Sequence, residues 1–350
     1  MKARIGVIGA GWWMVANHLP ILQRREDVEL AGVCRLGREE LEQVKARFGF
    51  PFATEDAEAL LDSVPLDGVL IGSPHVAHYA HARAALIRGL HVLVEKPLAT
   101  SAREARELVA LAAAGGREIL IPHGWNFKPF TREARRLVRE GALGEVEHVV
   151  CQMASALRDL FSGAGLREAE TAFFRPAPST WADPQRAGGY GWGQLVHALG
   201  LLFRVVEIPP REVFAWMSRS ATDVDLYDAA TIRLANGAAG VVSGAGTVPK
   251  HRGFQLDLRV FGREGMLLLD IERERLELRR HDGRDTVLPM QPGDGEYTCV
   301  EPVERFVDIC LGRQVENDAP GEVGLRAVEV LDAAYRSATE GRVVRVDELD

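Results

Sequence analysis

"RIGVIGAGWWM", residues 4–14, sets an apolar run of strand length directly against a glycine-rich turn. Gly9 and Gly11 match the first two positions of the fingerprint that joins a strand to a dinucleotide-binding helix. The first glycine permits a tight turn, and the second lets the backbone approach a pyrophosphate at the helix N-terminus. Met14 stands at the third position, so the fingerprint draws its weight from its place after the first strand of a βαβ unit. Trp12 and Trp13 fill the rest of the turn and are counted with the cofactor-binding residues. The stretch "MKARIGVIGAGWWMVA" also has the basic start and apolar length of a secretory signal. Glycines interrupt it, no clear A-x-A site follows, and its removal would delete the first strand, so a cytoplasmic protein is expected.

Outward from that turn, short apolar runs alternate with segments of helical period up to about residue 121. "RIGVIGA", "VELAGVC", "DGVLIGS", "HVLVEKP" and "EILIPH" read as five strands, apolar enough to be covered on both faces of a doubly wound parallel sheet. Between the last two lies "SAREARELVALAAAGG", a helix with Ser101 as N-cap, Glu104 three residues on and glycines at its end. From residue 122 the texture changes: a helix, "KPFTREARRLVREGALG", a strand, "EVEHVVCQMAS", and a long irregular stretch from 157 to 190. Six further strands follow in close succession between 212 and 281, with Gly or Asn-Gly punctuation and no helix between them, which predicts an antiparallel or mixed sheet. Helices near 300–312 and 321–340 complete the expectation. The fold class is α/β, with a Rossmann domain at 1–121 and an α+β substrate-binding and oligomerisation domain at 122–350.

Composition narrows the function classes. With 42 Lys plus Arg against 50 Asp plus Glu and a formal charge of −8, the chain offers no broad basic surface, and nucleic acid is excluded as an expected partner. No apolar run is long enough to span a membrane. The four cysteines form no CxxC pair, so neither a disulfide framework nor a zinc ribbon is suggested. His75, His78 and His81 are spaced so that the outer two diverge around a helix, and no metal is expected.

Two basic residues carry most of the chemistry. Arg35 follows the second strand, where a dinucleotide fold usually places an acid on the adenosine ribose. An arginine there suits a 2′-phosphate, so NADP is expected in preference to NAD. Lys96 comes at the carboxyl end of a buried strand in "HVLVEKP", the edge at which open α/β sheets bind ligands. Glu95 and Lys96 should point to opposite faces of that strand, and Pro97 holds Lys96 extended. Beside an oxidised nicotinamide the ammonium would be disfavoured, preparing the lysine to exchange a proton with a hydroxyl.

With "IGVIGAG", "GSPHVAH", "VLVEKPLA", "GALGEVEHV" and "GLRAVEVLDAAYRSATEGRVV" in place, the sequence resembles the glucose-fructose oxidoreductase and inositol dehydrogenase family, Gfo/Idh/MocA, over nearly its whole length. The resemblance implies a catalytic Lys96 at the nicotinamide, with Ser73, Pro74, His78, Glu95 and Pro97 lining the cofactor. It implies a second catalytic residue at His197, within "GGYGWGQLVHALGLLF". Many relatives carry an acid four residues before that histidine. Here the position is Gly193, and Gln194, on nearly the same helical face, is the candidate to bond a substrate hydroxyl. Trp125 and Asn126, with Trp181, Asp183, Tyr190 and Trp192, are candidates to contact a polyhydroxy substrate.

The expected function is hydride transfer between nicotinamide and a secondary hydroxyl of a sugar, cyclitol or related polyol. The alternatives are a redox-neutral, glycosidase-like use of the cofactor and a non-catalytic dinucleotide-responsive binding protein. "EVFAWMSR" is apolar on both strand faces, so a homodimer or homotetramer is expected.

Overall fold

The structure is a computed structural model and describes residues 2–349 apart from 167, 168 and 170. The chain divides into two compact units: residues 1–124, 165–180 and 299–325 form the first, and 125–164, 181–298 and 326–350 the second.

In the first unit, β1 (Ala3–Ile8), β2 (Val28–Cys34), β3 (Phe52–Thr54), β4 (Gly68–Ile71), β5 (His91–Val94) and β6 (Ile119–Leu120) form one parallel sheet in the order β3-β2-β1-β4-β5-β6. Its centre is made of fully buried Ile5, Val7, Val69, Leu70, Val92 and Leu93. Such a core follows from continuous apolar strands, which leave no face for water. The sixth strand, β3, was not anticipated, because three half-buried residues make no apolar run. The helix Ala102–Gly115 begins after Ser101 as expected, but the serine side chain makes no capping hydrogen bond, and Gly116 closes the helix at φ 61°. The helix Val300–Cys310 lies against β4: a Cβ at Gly68 would fall 2.5 Å from Cys310 Sγ, so only glycine admits it there.

The second unit is built on a sheet in the order β14-β13-β12-β11-β7-β10-β9-β8-β15. Its strands are β7 (Val146–Ser155), β8 (Pro210–Arg219), β9 (Asp225–Leu234), β10 (Ala239–Ala245), β11 (Phe254–Gly262), β12 (Gly265–Asp270), β13 (Arg275–Arg280), β14 (Thr286–Leu288) and β15 (Val344–Arg345). All pairings are antiparallel except β7 with β10. The apolar helix Val196–Val206 is buried along its whole length on one face of this sheet, where Cys151 Sγ donates to Ala198 O. The other face carries exposed Trp216, Tyr227 and Val241.

Candidate functional site

The glycine turn is shaped by how closely two strand ends approach. Gly9 has φ 82°, and a Cβ there would fall 2.3 Å from Ser73 N, so no side chain fits between the ends of β1 and β4. A Cβ at Gly11 would meet nothing nearer than Gly9 O at 4.0 Å. That open cradle fits a pyrophosphate lying against the backbone. Met14 does not break the motif, because the close packing that a third glycine would supply comes from the facing strand end. A Cβ at Gly72 would lie 2.7 Å from Met14 Cε. The residues after the turn form a π-helical stretch, Met14–His18, that passes into the α-helix Leu19–Arg24.

Arg35 reaches back over this turn. Its Nη1 donates to Ala10 O at 2.9 Å, and its guanidinium lies 4.1 Å from the ring centre of Phe174. Partial burial lowers its pKa, while the charge of Glu40 opposes that.

Glu95, Lys96 and Pro97 follow the end of β5, and the Lys96–Pro97 peptide is cis. Glu95 and Lys96 lie just beyond the strand's last residue, and the Glu95 N–H still donates to Ile71 O at 2.8 Å. Both are buried. Glu95 Oε1 stands 2.5 Å from His18 Nε2. Burial would raise the Glu95 carboxyl, but its hydrogen bond and charge interaction with His18, joined by Lys96 and His78, take it below its ordinary value. Burial pushes the Lys96 ammonium below its ordinary value, opposed by the charges of Glu95 and Cys299. The shift expected for Lys96 thus has a cause within the protein itself, desolvation. His123 is buried beside the lysine, and burial followed by the charge of Lys96 pushes its pKa down to about 3. That shift favours the neutral imidazole.

The Ser73 loop is tied to the same turn. The ring nitrogens of His78 stand 2.6 Å from Pro97 O and 2.8 Å from Ser73 O, so whichever carries the proton donates to a backbone carbonyl. His81 Nδ1 pairs with Ser73 Oγ at 2.9 Å, and Pro74 leads into the short 3-10 turn His75–Ala77. These histidines are taken up by the loop. Among the described residues, no three His, Cys, Asp or Glu side chains are placed to hold a metal ion.

In the second unit His197 is buried against two aromatic rings: Trp125 at 5.8 Å and Tyr297 at 5.2 Å between centroids, both edge-on at 80°. Trp125 Nε1 donates to Gly295 O, and buried Asn126 donates to Gly200 O. The segment before the histidine corrects the expected register, because Gly191–Leu195 is a π-helical turn. Gln194 and His197 are therefore not related by one regular α-helical turn. This turn is anchored by Asp225, which accepts from Gly191 N at 2.6 Å and from the hydroxyl of Tyr335. Trp192 stacks on Tyr335 at 5.3 Å. Burial raises the Asp225 carboxyl, and burial together with the charge of Asp225 raises that of neighbouring Asp228. Tyr190 is buried and accepts from Ser155 Oγ, while Asp183 caps a 3-10 turn by accepting from Gln185 N. A Cβ on Gly193 would lie 3.0 Å from the Phe161 ring and 3.4 Å from Trp181, so two aromatic rings crowd the position at which the resemblance implies a helix acid.

Sequence reading missed His18, His123, Phe174, Tyr297 and Cys299. Each acquires its partner through the fold, and none is marked by a local motif; "PHGW" around His123 gave the nearest signal.

Residues 3–123 match the family model described as "Oxidoreductase family, NAD-binding Rossmann fold", and residues 131–268 match the "GFO/IDH/MocA C-terminal domain". The chain is 25% identical to D-apiose dehydrogenase of Paraburkholderia graminis, over 98% of this chain and 90% of that protein. It is also 25% identical to D-xylose 1-dehydrogenase (NADP(+)) 2 of Haloferax volcanii, over 98% and 99%. The crystal structure of GenD2 from gentamicin A biosynthesis, in complex with NAD, superposes with a TM-score of 0.75 at 26% identity, covering 98% of this chain and 96% of that one. With the glycine turn falling in one matched region and the His197 helix in the other, the chain belongs to the Gfo/Idh/MocA family of NAD(P)-dependent oxidoreductases.

Proposed function

We propose that this protein is a dehydrogenase interconverting a secondary hydroxyl of a sugar, cyclitol or related polyol with the corresponding carbonyl, and that it prefers NADP to NAD. The observation that carries this reading is a lysine buried at the carboxyl end of β5, with its pKa lowered by burial, in the unit that holds the glycine cradle. The D-apiose and D-xylose dehydrogenases, alike over nearly the whole chain, support a carbohydrate substrate. The four cysteines are free thiols, which suits a reducing compartment such as the cytoplasm.

The residues that would hold the cofactor are Gly9, Gly11, Trp12 and Trp13 at the turn, Arg35 at the adenosine end, and Ser73, Pro74, His78, Glu95 and Pro97 around the lysine. Bound there, the nicotinamide supplies a hydride acceptor in oxidation and a hydride donor in reduction. Lys96 Nζ takes the hydroxyl proton as the carbinol carbon gives up its hydride, and returns a proton to the carbonyl oxygen in the reverse direction. Desolvation favours the neutral amine that this step needs, and Glu95, paired with His18, holds the turn that aims it. His197 is proposed as the second proton-handling residue. Trp125, Asn126, Trp181, Asp183, Tyr190, Trp192 and Gln194 are proposed to shape the substrate side, several of them by fixing the elements around His197.

The test is Lys96→Ala. The variant should bind cofactor with nearly unchanged affinity while the chemical step falls by about 10² or more, the usual scale for losing a general acid or base. For wild type, kcat/KM for oxidation should rise with pH through a midpoint below the ordinary lysine value of about 10.4, and the variant should lack that limb. Activity of Lys96→Ala within about threefold of wild type removes the lysine from the mechanism. The filled space at Gly193 favours a second reading, a dinucleotide-responsive protein without turnover. Reduction of nicotinamide by any member of a polyol panel would end it.

A further inference from the structure

Residues 165–180 pack with the first unit, although the chain on either side of them belongs to the second. What this excursion delivers is a pair of aromatic rings. Phe174 lies under the guanidinium of Arg35 at 4.1 Å, and Phe173 under that of Arg47 at 4.7 Å. The two rings touch each other edge-on, with centroids 4.7 Å apart.

Arg35 is consequently held at two points. Phe174 covers one face of its guanidinium, and Nη1 is committed to the carbonyl of Ala10 in the glycine turn. Its Nε is buried, without a hydrogen-bond partner among the described residues. A guanidinium N–H bonds a phosphate oxygen as a charge-assisted donor. Here Nη2 is the donor left over at the end of β2 beside the glycine turn, where this class of fold places the adenosine ribose. A free arginine loses rotamer entropy on gripping a ligand, and one already fixed by its neighbours loses less.

We propose that Phe174 is a specificity-determining residue: it holds Arg35 with Nη2 ready for the 2′-phosphate of NADP, so that discrimination between the two nucleotides depends on a segment remote in sequence from the glycine turn. This rests on the reading of Arg35 as the 2′-phosphate ligand. Phe173 on Arg47 fastens the segment at a second point.

The experiment is titration of the purified, cofactor-free full chain with NADP and with NAD, for wild type, Phe174→Leu, Phe174→Tyr and Arg35→Asp. Leucine keeps apolar bulk but removes the ring face. It should weaken NADP binding by about 3- to 30-fold, the range that a cation–π contact represents, and leave NAD binding within about twofold. Unchanged NAD affinity also shows that the variant is folded. Tyrosine keeps the ring face and should keep the preference. If wild type prefers NADP and Arg35→Asp abolishes that preference while Phe174→Leu leaves it intact, the role of Phe174 is overturned and that of Arg35 stands. If wild type binds both nucleotides equally, the Arg35 reading itself fails. Tighter binding of both nucleotides by Phe174→Leu would show that the ring obstructs the site, and overturns the proposal as well.

Discussion

Burial acts on Lys96 and His123 in the same direction, since in each it disfavours the cation. For the lysine this favours the neutral amine; for the histidine it sets up a stability linkage. The folded-state pKa of His123 is pushed down to about 3, against an unfolded value of about 6.5. Below the unfolded value, the unfolded chain binds a proton that the folded one does not. Stability is therefore fully present above about pH 6.5 and is lost as pH falls toward the folded pKa. Between about pH 7 and about pH 5 this one residue should cost about 2 kcal/mol. Urea unfolding of wild type and His123→Gln at both pH values tests it: the variant should lose about 2 kcal/mol less than wild type over that interval. Equal losses would mean that the imidazole is protonated in the folded protein. No feature of "EILIPHGW" announces this behaviour, because the proximity of Lys96 to His123 arises only when β5 and the chain after β6 are brought side by side. The His18–Glu95 pair was illegible for the same reason, its partners lying 77 residues apart.

At the scale of elements, the strands were legible wherever an apolar run or a clear alternation marked them, and Phe52–Thr54, Thr286–Leu288 and Val344–Arg345 escaped because these two- and three-residue segments carry too little of either signal. The functional turns were legible as positions but not as geometry. Periodicity placed His197 on a helix, yet it carries no sign that Gly191–Leu195 winds as a π turn, which depends on Asp225 taking the N–H of Gly191 from a strand far along the chain. Gly193 was read as a missing acid. Its surroundings leave little room for one, since Phe161 is fully buried and its ring, 3.0 Å from where a Cβ would be, would have to give way. Overpacking of this kind costs about 1–3 kcal/mol, and a carboxylate brought in without a partner adds to that. Gly193→Asp should therefore destabilise the protein by at least about 2 kcal/mol in denaturant unfolding and confer no gain in turnover. A stable, more active variant would show that the rings of Phe161 and Trp181 yield to the acid.

For the whole molecule, the open face of the second sheet is the feature that a single chain leaves unexplained. Strand register aligns Phe214 with Thr231, Thr231 with Val241 and Val241 with Val150, an apolar or β-branched stretch of one cross-strand row that ends at Arg259 opposite Val150. Trp216 stands in the next row and is 71% exposed, while its strand neighbours Val213 and Ala215 on the opposite face are buried. Single exposed apolar residues are ordinary, but a contiguous patch on a sheet face marks an interaction surface. A second copy of the same face would cover it with closed two-fold symmetry. A homodimer, or a homotetramer built from it, is the expected assembly. Replacing Trp216 by glutamate puts a charge at the centre of that contact and should shift the protein to monomer at micromolar concentration, with nucleotide affinity retained because the glycine turn and Arg35 belong to the other unit. Light scattering coupled to size exclusion reads both states. A wild type that is already monomeric at micromolar concentration, or a Trp216→Glu variant that keeps the wild-type mass, would assign the open face to something other than a second copy.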